Sequence, residues 1–258
     1  MDYSTIRLNI DANVAVITLD RPDVMNALST QMRAEILDAV KSAEREARVI
    51  VLTGAGDAFC SGQDLGGGRS LASMDVERTL RDEYIPMLKA IADSPLPVIA
   101  AVNGPAVGAG ASLALSADVV IATESAVFMQ AFARIGLMPD AGATYWLPRQ
   151  VGLARAMGAA LFAEPVSAKD AAQWGMIWEA VPDADFAAHW RARAEKLASG
   201  PSVSYQHTKE AIRASFEKSL DEQLLLESRL QGRCGKTRDF REGVLAFTEK
   251  RPASFEGR

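Results

Sequence analysis

The stretch VIAAVNGPAVGAGASLALSADVV, Val98–Val120, constrains this 258-residue chain more than any other. An apolar run closes on Asn-Gly-Pro, and a Gly-Ala-Gly turn then opens a helix of small residues that leads to a second apolar run. Strand, turn, helix and strand in so short a span belong to a largely parallel sheet with helices outside it. The first backbone N–H groups of such a helix have no partner within it, and the helix dipole adds partial positive charge there. That suits an anion, or a carbonyl oxygen becoming one. The glycines let a ligand approach the backbone closely. Almost no ionisable side chain surrounds the turn, so the rest of the chemistry must come from elsewhere.

The same alternation recurs along the chain. Ile6–Ile10 and Val14–Leu19 alternate about Asp11-Ala12-Asn13, a hairpin pattern. Ser29 or Thr30 caps a helix running to about Ala47, with Met32, Ile36, Leu37 and Val40 on one face. Val49–Thr53 reads as a buried strand, followed by a loop in which Gly66–Ser70 is the most flexible part. A helix from about Met74 to Asp93 stops before Pro95. Strands at Val98–Val102, Val119–Ala122 and Val127–Met129 enclose the helix Gly110–Ser116. From Asp183 onward only helices are predicted, at about Ala184–Ser199, Pro201–Ala214, Leu220–Gly232 and Thr237–Lys250. The chain thus divides into an α/β core, 1–182, and a helical region, 183–258.

Bulk properties narrow the partners. The chain is 48% hydrophobic and 24% charged, with a formal net charge of −5. This argues against a dedicated nucleic-acid or anionic-membrane surface. Arg191, Arg193 and Lys196 read as a solvated helix face. No apolar run reaches the roughly 20 residues a bilayer span requires. Cys60 and Cys234 are the only cysteines. One disulfide and two free thiols are both open, and the absence of a cysteine framework fits a reducing compartment better. The start MDYSTIRLNI lacks the regions of a signal peptide, so a cytoplasmic location is expected.

Four motifs, RPDVMNAL, GAGDAFCSGQDL, IAAVNGPAVGAGASLAL and FARIGLMPDAGATYWLPRQVG, stand in one order over most of the chain. Together they resemble the crotonase (enoyl-CoA hydratase/isomerase) superfamily. The resemblance implies an α/β spiral of ββα turns building two nearly perpendicular sheets, with C-terminal helices that mediate trimerisation. It implies an acyl-CoA substrate, a homotrimer or dimer of trimers, and no metal, nucleotide or redox cofactor. By the same resemblance, the backbone N–H groups of Gln63 and Ala109 form an oxyanion hole for the thioester carbonyl. The CoA body lies against Ala27, Leu28, Ser61, Asp64 and Leu65. Phe247 and Lys250 also match CoA-contacting positions, often supplied by a neighbouring subunit, although an exposed helix-end lysine is an equally ordinary reading of Lys250.

Hydratases of this superfamily use two glutamates to activate water. The matching positions here hold Ser112 and Phe132, which cannot accept a proton as a carboxylate does. One acid remains in place, Asp140, just before a predicted helix starting near Ala141. Apolar surroundings would raise its pKa and the helix terminus would lower it. Two roles stand open for it: a helix N-cap, for which Asp is favoured, and the catalytic base. The acyl-CoA resemblance favours the base. Phe132, Trp146 and Ser112 are expected to line the acyl pocket, and Phe128 to belong to the core. Asp118 and Glu124 are expected to make structural hydrogen bonds, and His189 and His207 to be surface or contact residues.

ARAMGAALF, SAKDAAQWGMIWEAV and DFREGVLAFTEKRPASFEGR further resemble the ring-1,2-epoxyphenylacetyl-CoA isomerases. The implied reaction is isomerisation by proton transfer, of a ring epoxide to an oxepin or of a 3-enoyl to a 2-enoyl thioester. Two alternatives accompany it: a hydratase that holds water with other groups, and a non-catalytic acyl-CoA-binding member.

Overall fold

The computed structural model describes residues 3–66 and 75–258. Gly67–Ser73, most of the expected loop, lies outside the described residues, as does Met74, the expected start of the next helix.

Among the described residues nine strands form two sheets. The larger joins β1 (Ile6–Asp11), β2 (Val14–Leu19), β3 (Val49–Gly54), β4 (Val98–Val102), β6 (Val119–Thr123) and β9 (Glu179–Val181), in that order. Only the β1–β2 pair is antiparallel. The smaller joins β5 (Ala106–Val107), β7 (Val127–Met129) and β8 (Val166–Ser167). The expected hairpin closes through Ala12 and Asn13, both in the left-handed region at φ 46° and 64°. That is the two-residue turn whose twist matches paired strands.

The central strands are apolar on both faces because helices cover both. Val49 and Val51 of β3 and Ile99 and Ala101 of β4 face a layer with Phe186, Trp190 and Ala194 of α7 (Phe186–Ala198). Ile50, Leu52, Val98, Ala100 and Val102 face the opposite way, into a cluster with Met32, Ile36, Ala39 and Val40 of α1 (Thr30–Glu46). Each fully buried Val, Leu or Ile contributes about 1.5–3 kcal/mol to folding. α1 starts as predicted, with the Ser29 hydroxyl accepting the Met32 N–H.

The helix predicted over Met74–Asp93 is interrupted. The structure has α2 (Val76–Thr79), a π turn (Leu80–Tyr84) and α3 (Ile85–Asp93). Pro86 explains the break, because it lacks an N–H and its ring clashes with the carbonyl four residues back. The ladder widens there, and the Ile85 N–H donates to the Leu80 carbonyl, five residues back.

Next come α4 (Ala109–Leu115), α5 (Ala143–Phe162) and α6 (Ala168–Trp174). α5 begins two residues later than predicted, since Ala141 and Gly142 take φ of 51° and 86°. The C-terminal helices are α7, α8 (Ser202–Ala214), α9 (Leu220–Cys234) and α10 (Arg238–Glu249). α8 is pinned to the core. Lys209 donates to Ser94 O at 2.8 Å and pairs with Asp118 at 2.6 Å, and Arg213 pairs with the other Asp118 oxygen at 2.7 Å. Asp118 also accepts the Val98 N–H, so it has the structural role expected of it. Glu124 pairs with Lys169, His189 with Glu179 and His207 with Glu210. Cys60 and Cys234 are both free thiols. Among the described residues no helix is long and apolar enough to cross a membrane.

Candidate active site

Two loops meet where the larger sheet ends. The first, after β3, runs through Cys60-Ser61-Gly62-Gln63; the second links β4 to α4 through Asn103-Gly104-Pro105, β5 and Gly108. Asn103 ties them: its side-chain oxygen accepts the Gly54 N–H and its amide donates to Gly56 O, each at 2.9 Å. The Val107 N–H donates to Cys60 O at 2.9 Å. Only glycine allows this closeness. A Cβ on Gly62 would lie 2.9 Å from Val107 O, and one on Gly110 would lie 2.2 Å from Cys60 O.

The backbone direction of Gln63 follows from a single bridge to Leu28. The Leu28 N–H donates to Gly62 O at 2.7 Å, and the Asp64 N–H donates to Leu28 O at 3.2 Å. Strand neighbours alternate in direction, so the Gln63 N–H points away from Leu28. Ala109 is the first residue of α4, so its N–H has no partner within the helix. Among the described residues neither N–H finds a protein acceptor.

Both residues line one cavity of about 300 Å³. Its other walls come from Ser61 and Leu65, from Val76, Leu80 and Tyr84 of α2 and the π turn, and from Phe132, Ile135 and Leu137. Asp140 is the only carboxyl group that lines it among the described residues. The Asp140 backbone is held firmly: its carbonyl accepts the Ser112 hydroxyl at 3.0 Å and the Ala143 N–H at 2.9 Å. Its carboxyl group accepts no hydrogen bond from a described residue, and burial raises its pKa to about 6. The helix-cap role is overturned. The residue preceding α5 is Gly142, and no side chain among the described residues caps that helix.

The other expected site residues separate into groups. Phe132 lines the cavity and Phe128 belongs to the core. Ser112 is fully buried and does not line the cavity; it acts behind Asp140, on its backbone. Trp146 is also displaced from the expected pocket. A Cβ on Gly142 would lie 2.8 Å from its ring nitrogen, and the residue lines a second cavity with Lys209 and Arg213. Ser61 and Leu65 reach the cavity wall, whereas Ala27 and Leu28 are buried behind it. Asp64 lies beside it, held by the Gly66 N–H at 2.9 Å and Arg21 at 2.8 Å, and these keep its carboxyl below the usual range against the opposing effect of burial. Phe247 and Lys250 do not line the cavity; Phe247 is 87% exposed at the end of α10.

Three residues at the site escaped the sequence reading. Asn26 donates to Ala55 O and Ala58 O, bracing the first loop from the RPDVMNAL motif. Arg33 and Tyr84 both bond the Gln63 side chain. A positive φ at Asn26 agrees with its type, but nothing local in the sequence marks the other two. Among the described residues no group of three or more His, Cys, Asp or Glu side chains is placed to hold a metal ion.

This arrangement pairs two unengaged N–H groups with one bare carboxyl in an apolar cavity, and relatives share its frame. The family described as Enoyl-CoA hydratase/isomerase matches residues 9–258. A Rhodobacter capsulatus protein named "Probable enoyl-CoA hydratase" is 62% identical over the whole of both chains. The 1,2-epoxyphenylacetyl-CoA isomerase of Escherichia coli is 42% identical over 97% of each chain. The crystal structure of enoyl-CoA hydratase from Bacillus anthracis superposes with a TM-score of 0.91 at 32% identity, covering 99% of this chain and all of that one. The chain therefore belongs to the enoyl-CoA hydratase/isomerase family, the crotonase superfamily, and has its fold.

Proposed function

We propose that this protein isomerises an acyl-CoA by moving a proton with Asp140. The observation that carries this reading is the cavity with one carboxyl group and two free N–H donors. The thioester oxygen sits between the N–H groups of Gln63 and Ala109, which stabilise the enolate formed when a proton leaves the α or γ carbon. Asp140 takes that proton and returns it at another carbon. With a pKa of about 6 it is ionised roughly ten to one at pH 7, yet basic enough to act. On a ring epoxide the developing anion drives opening to an oxepin; on a 3-enoyl chain the same shuttle yields the 2-enoyl product. An isomerase is named among the relatives, in keeping with the reaction proposed.

The hydratase alternative draws on the name of the Rhodobacter capsulatus relative. Against it stand Ser112, buried behind the wall, and Phe132, apolar, at the positions where water-activating glutamates are expected. The cavity accommodates an acyl group, leaving the CoA body outside near Ser61, Asp64 and Leu65. No metal or redox cofactor enters this scheme. Exposed apolar side chains on α5, α9 and α10, among them Leu153, Phe162, Leu224 and Val244, suit a homotrimer or dimer of trimers. In that assembly Phe247 and Lys250 would reach the CoA of a neighbouring subunit.

The test compares wild type and Asp140→Asn on ring-epoxide and 3-enoyl thioesters and on 2-enoyl-CoA hydration. Isomerisation by wild type alone, without hydration, supports the reading. Isomerisation by Asp140→Asn at the wild-type rate would overturn it.

A further inference from the structure

Gln63 enters the proposed oxyanion hole through its backbone, so its side chain has no chemical duty there. That side chain is nevertheless tightly held. Its oxygen accepts the Tyr84 O–H at 2.6 Å and an Arg33 N–H at 2.9 Å, and its amide donates to Asp64 O at 3.2 Å. The same Arg33 nitrogen donates to Leu28 O at 2.6 Å. Arg33 thus grips both sides of the bridge that orients the Gln63 N–H. Its guanidinium lies 4.6 Å from the Tyr84 ring centre, and Glu83 neutralises it. Arg33 and Tyr84 are each only 2% exposed. A buried charge is costly unless paired, and a buried phenol needs a partner. Glu83 meets the first need, and the Gln63 side-chain oxygen meets the second.

Tyr84 ends the π turn, and Val76, Thr79 and Leu80 just before it form one wall of the acyl cavity. We propose that Tyr84 is a positioning residue, holding Gln63 with Arg33 so that the Gln63 N–H stays on the thioester oxygen, and coupling the fit of the acyl group to the oxyanion hole. The inference rests on the oxyanion-hole reading given above. An acyl group that seats well against the wall leaves the Tyr84–Gln63 bond intact. One that displaces the wall pulls on the donor, and so lowers kcat rather than binding.

The experiment is a double-mutant cycle with Tyr84→Phe and Gln63→Ala, the latter keeping the backbone N–H. It is read in isomerase kinetics and in the infrared carbonyl stretch of bound [1-¹³C]hexanoyl-CoA, which cannot isomerise. Tyr84→Phe is expected to lower kcat about tenfold with KM within about twofold, a fraction of the loss for deleting an oxyanion donor. It is expected to reverse part of the carbonyl shift seen in wild type, while the pH dependence set by Asp140 stays in place. Gln63→Ala should do the same, and the double variant should be no worse than either single one. A Tyr84→Phe enzyme with wild-type kcat and carbonyl shift overturns the proposal. So does a Tyr84→Phe loss that persists in full on the Gln63→Ala background, since Tyr84 would then act on the substrate directly. A wild-type complex with no carbonyl shift overturns the oxyanion reading itself. Should Tyr84→Phe fail to fold, Gln63→Ala still decides the matter: a full carbonyl shift in that variant overturns the proposal.

Discussion

Two aspartates lie against α4 and are treated in opposite ways. Asp118, just past its end, has each oxygen occupied: Val98 N–H and Lys209 on one, Arg213 on the other. Asp140 is tied to α4 only through its backbone carbonyl and the Ser112 hydroxyl, and its carboxyl meets no donor from the described residues. Both are partly shielded from water, but only the second faces the cavity without a partner among the described residues. A carboxylate saturated with cations fastens elements together, whereas one surrounded by apolar walls keeps a pKa near neutrality. On the proposed reading, reactivity here comes from partners withheld.

The contrast breaks most sharply at Asp140 itself. Asp140→Asn keeps the side chain's size and removes the base, so kcat should fall roughly 10³-fold with the fold intact, as read by steady-state kinetics and circular dichroism. Asp118→Asn should do the reverse. It leaves Lys209, whose pKa burial already lowers, without its charge partner, and should cost about 3 kcal/mol in urea unfolding while activity per folded molecule is retained. An equal loss of kcat in both variants would erase the distinction.

The pH dependence sharpens it. If Asp140 is the proposed base, with a pKa raised to about 6 by burial in the free protein, kcat/KM should be flat above about pH 7 and fall about tenfold per unit below about pH 6. The smallest effect concerns stability. A carboxyl whose folded pKa lies above its ordinary value of 3.8 binds more protons folded than unfolded between those two values. Stability therefore declines as pH rises through that window, and ionised Asp140 is a burden at pH 7. Allowing for solvent screening, Asp140→Asn should be more stable than wild type by about 1 kcal/mol at pH 7, with no gain near pH 3.5. A thermal melt at both pH values checks it.

Much of this molecule was legible locally. The hairpin, the Ser29 cap and the buried runs Val49–Thr53 and Val98–Val102 follow from side-chain period and turn chemistry, and they stand where expected. The break at Pro86 was legible in principle, because proline interrupts a helical ladder wherever it falls. The position of Trp146 was not, since the second cavity it lines is completed by Lys209 and Arg213 of α8, far away in sequence. β5, β8 and β9 are too short to leave a periodic trace, and exist because longer neighbours offer them an edge.

By itself the sequence determined which family this chain joins, which runs become strands, and that an acid, Asp140, stands just before α5. These depend on residue type, spacing and order, all of which are local. Only the tertiary structure decided that the Asp140 carboxyl is bare, that Ser112 stands behind it, and that Tyr84 reaches Gln63 across 21 residues of chain. Desolvation and hydrogen-bond satisfaction are properties of what surrounds a group in space, and those surroundings come from segments far apart in sequence.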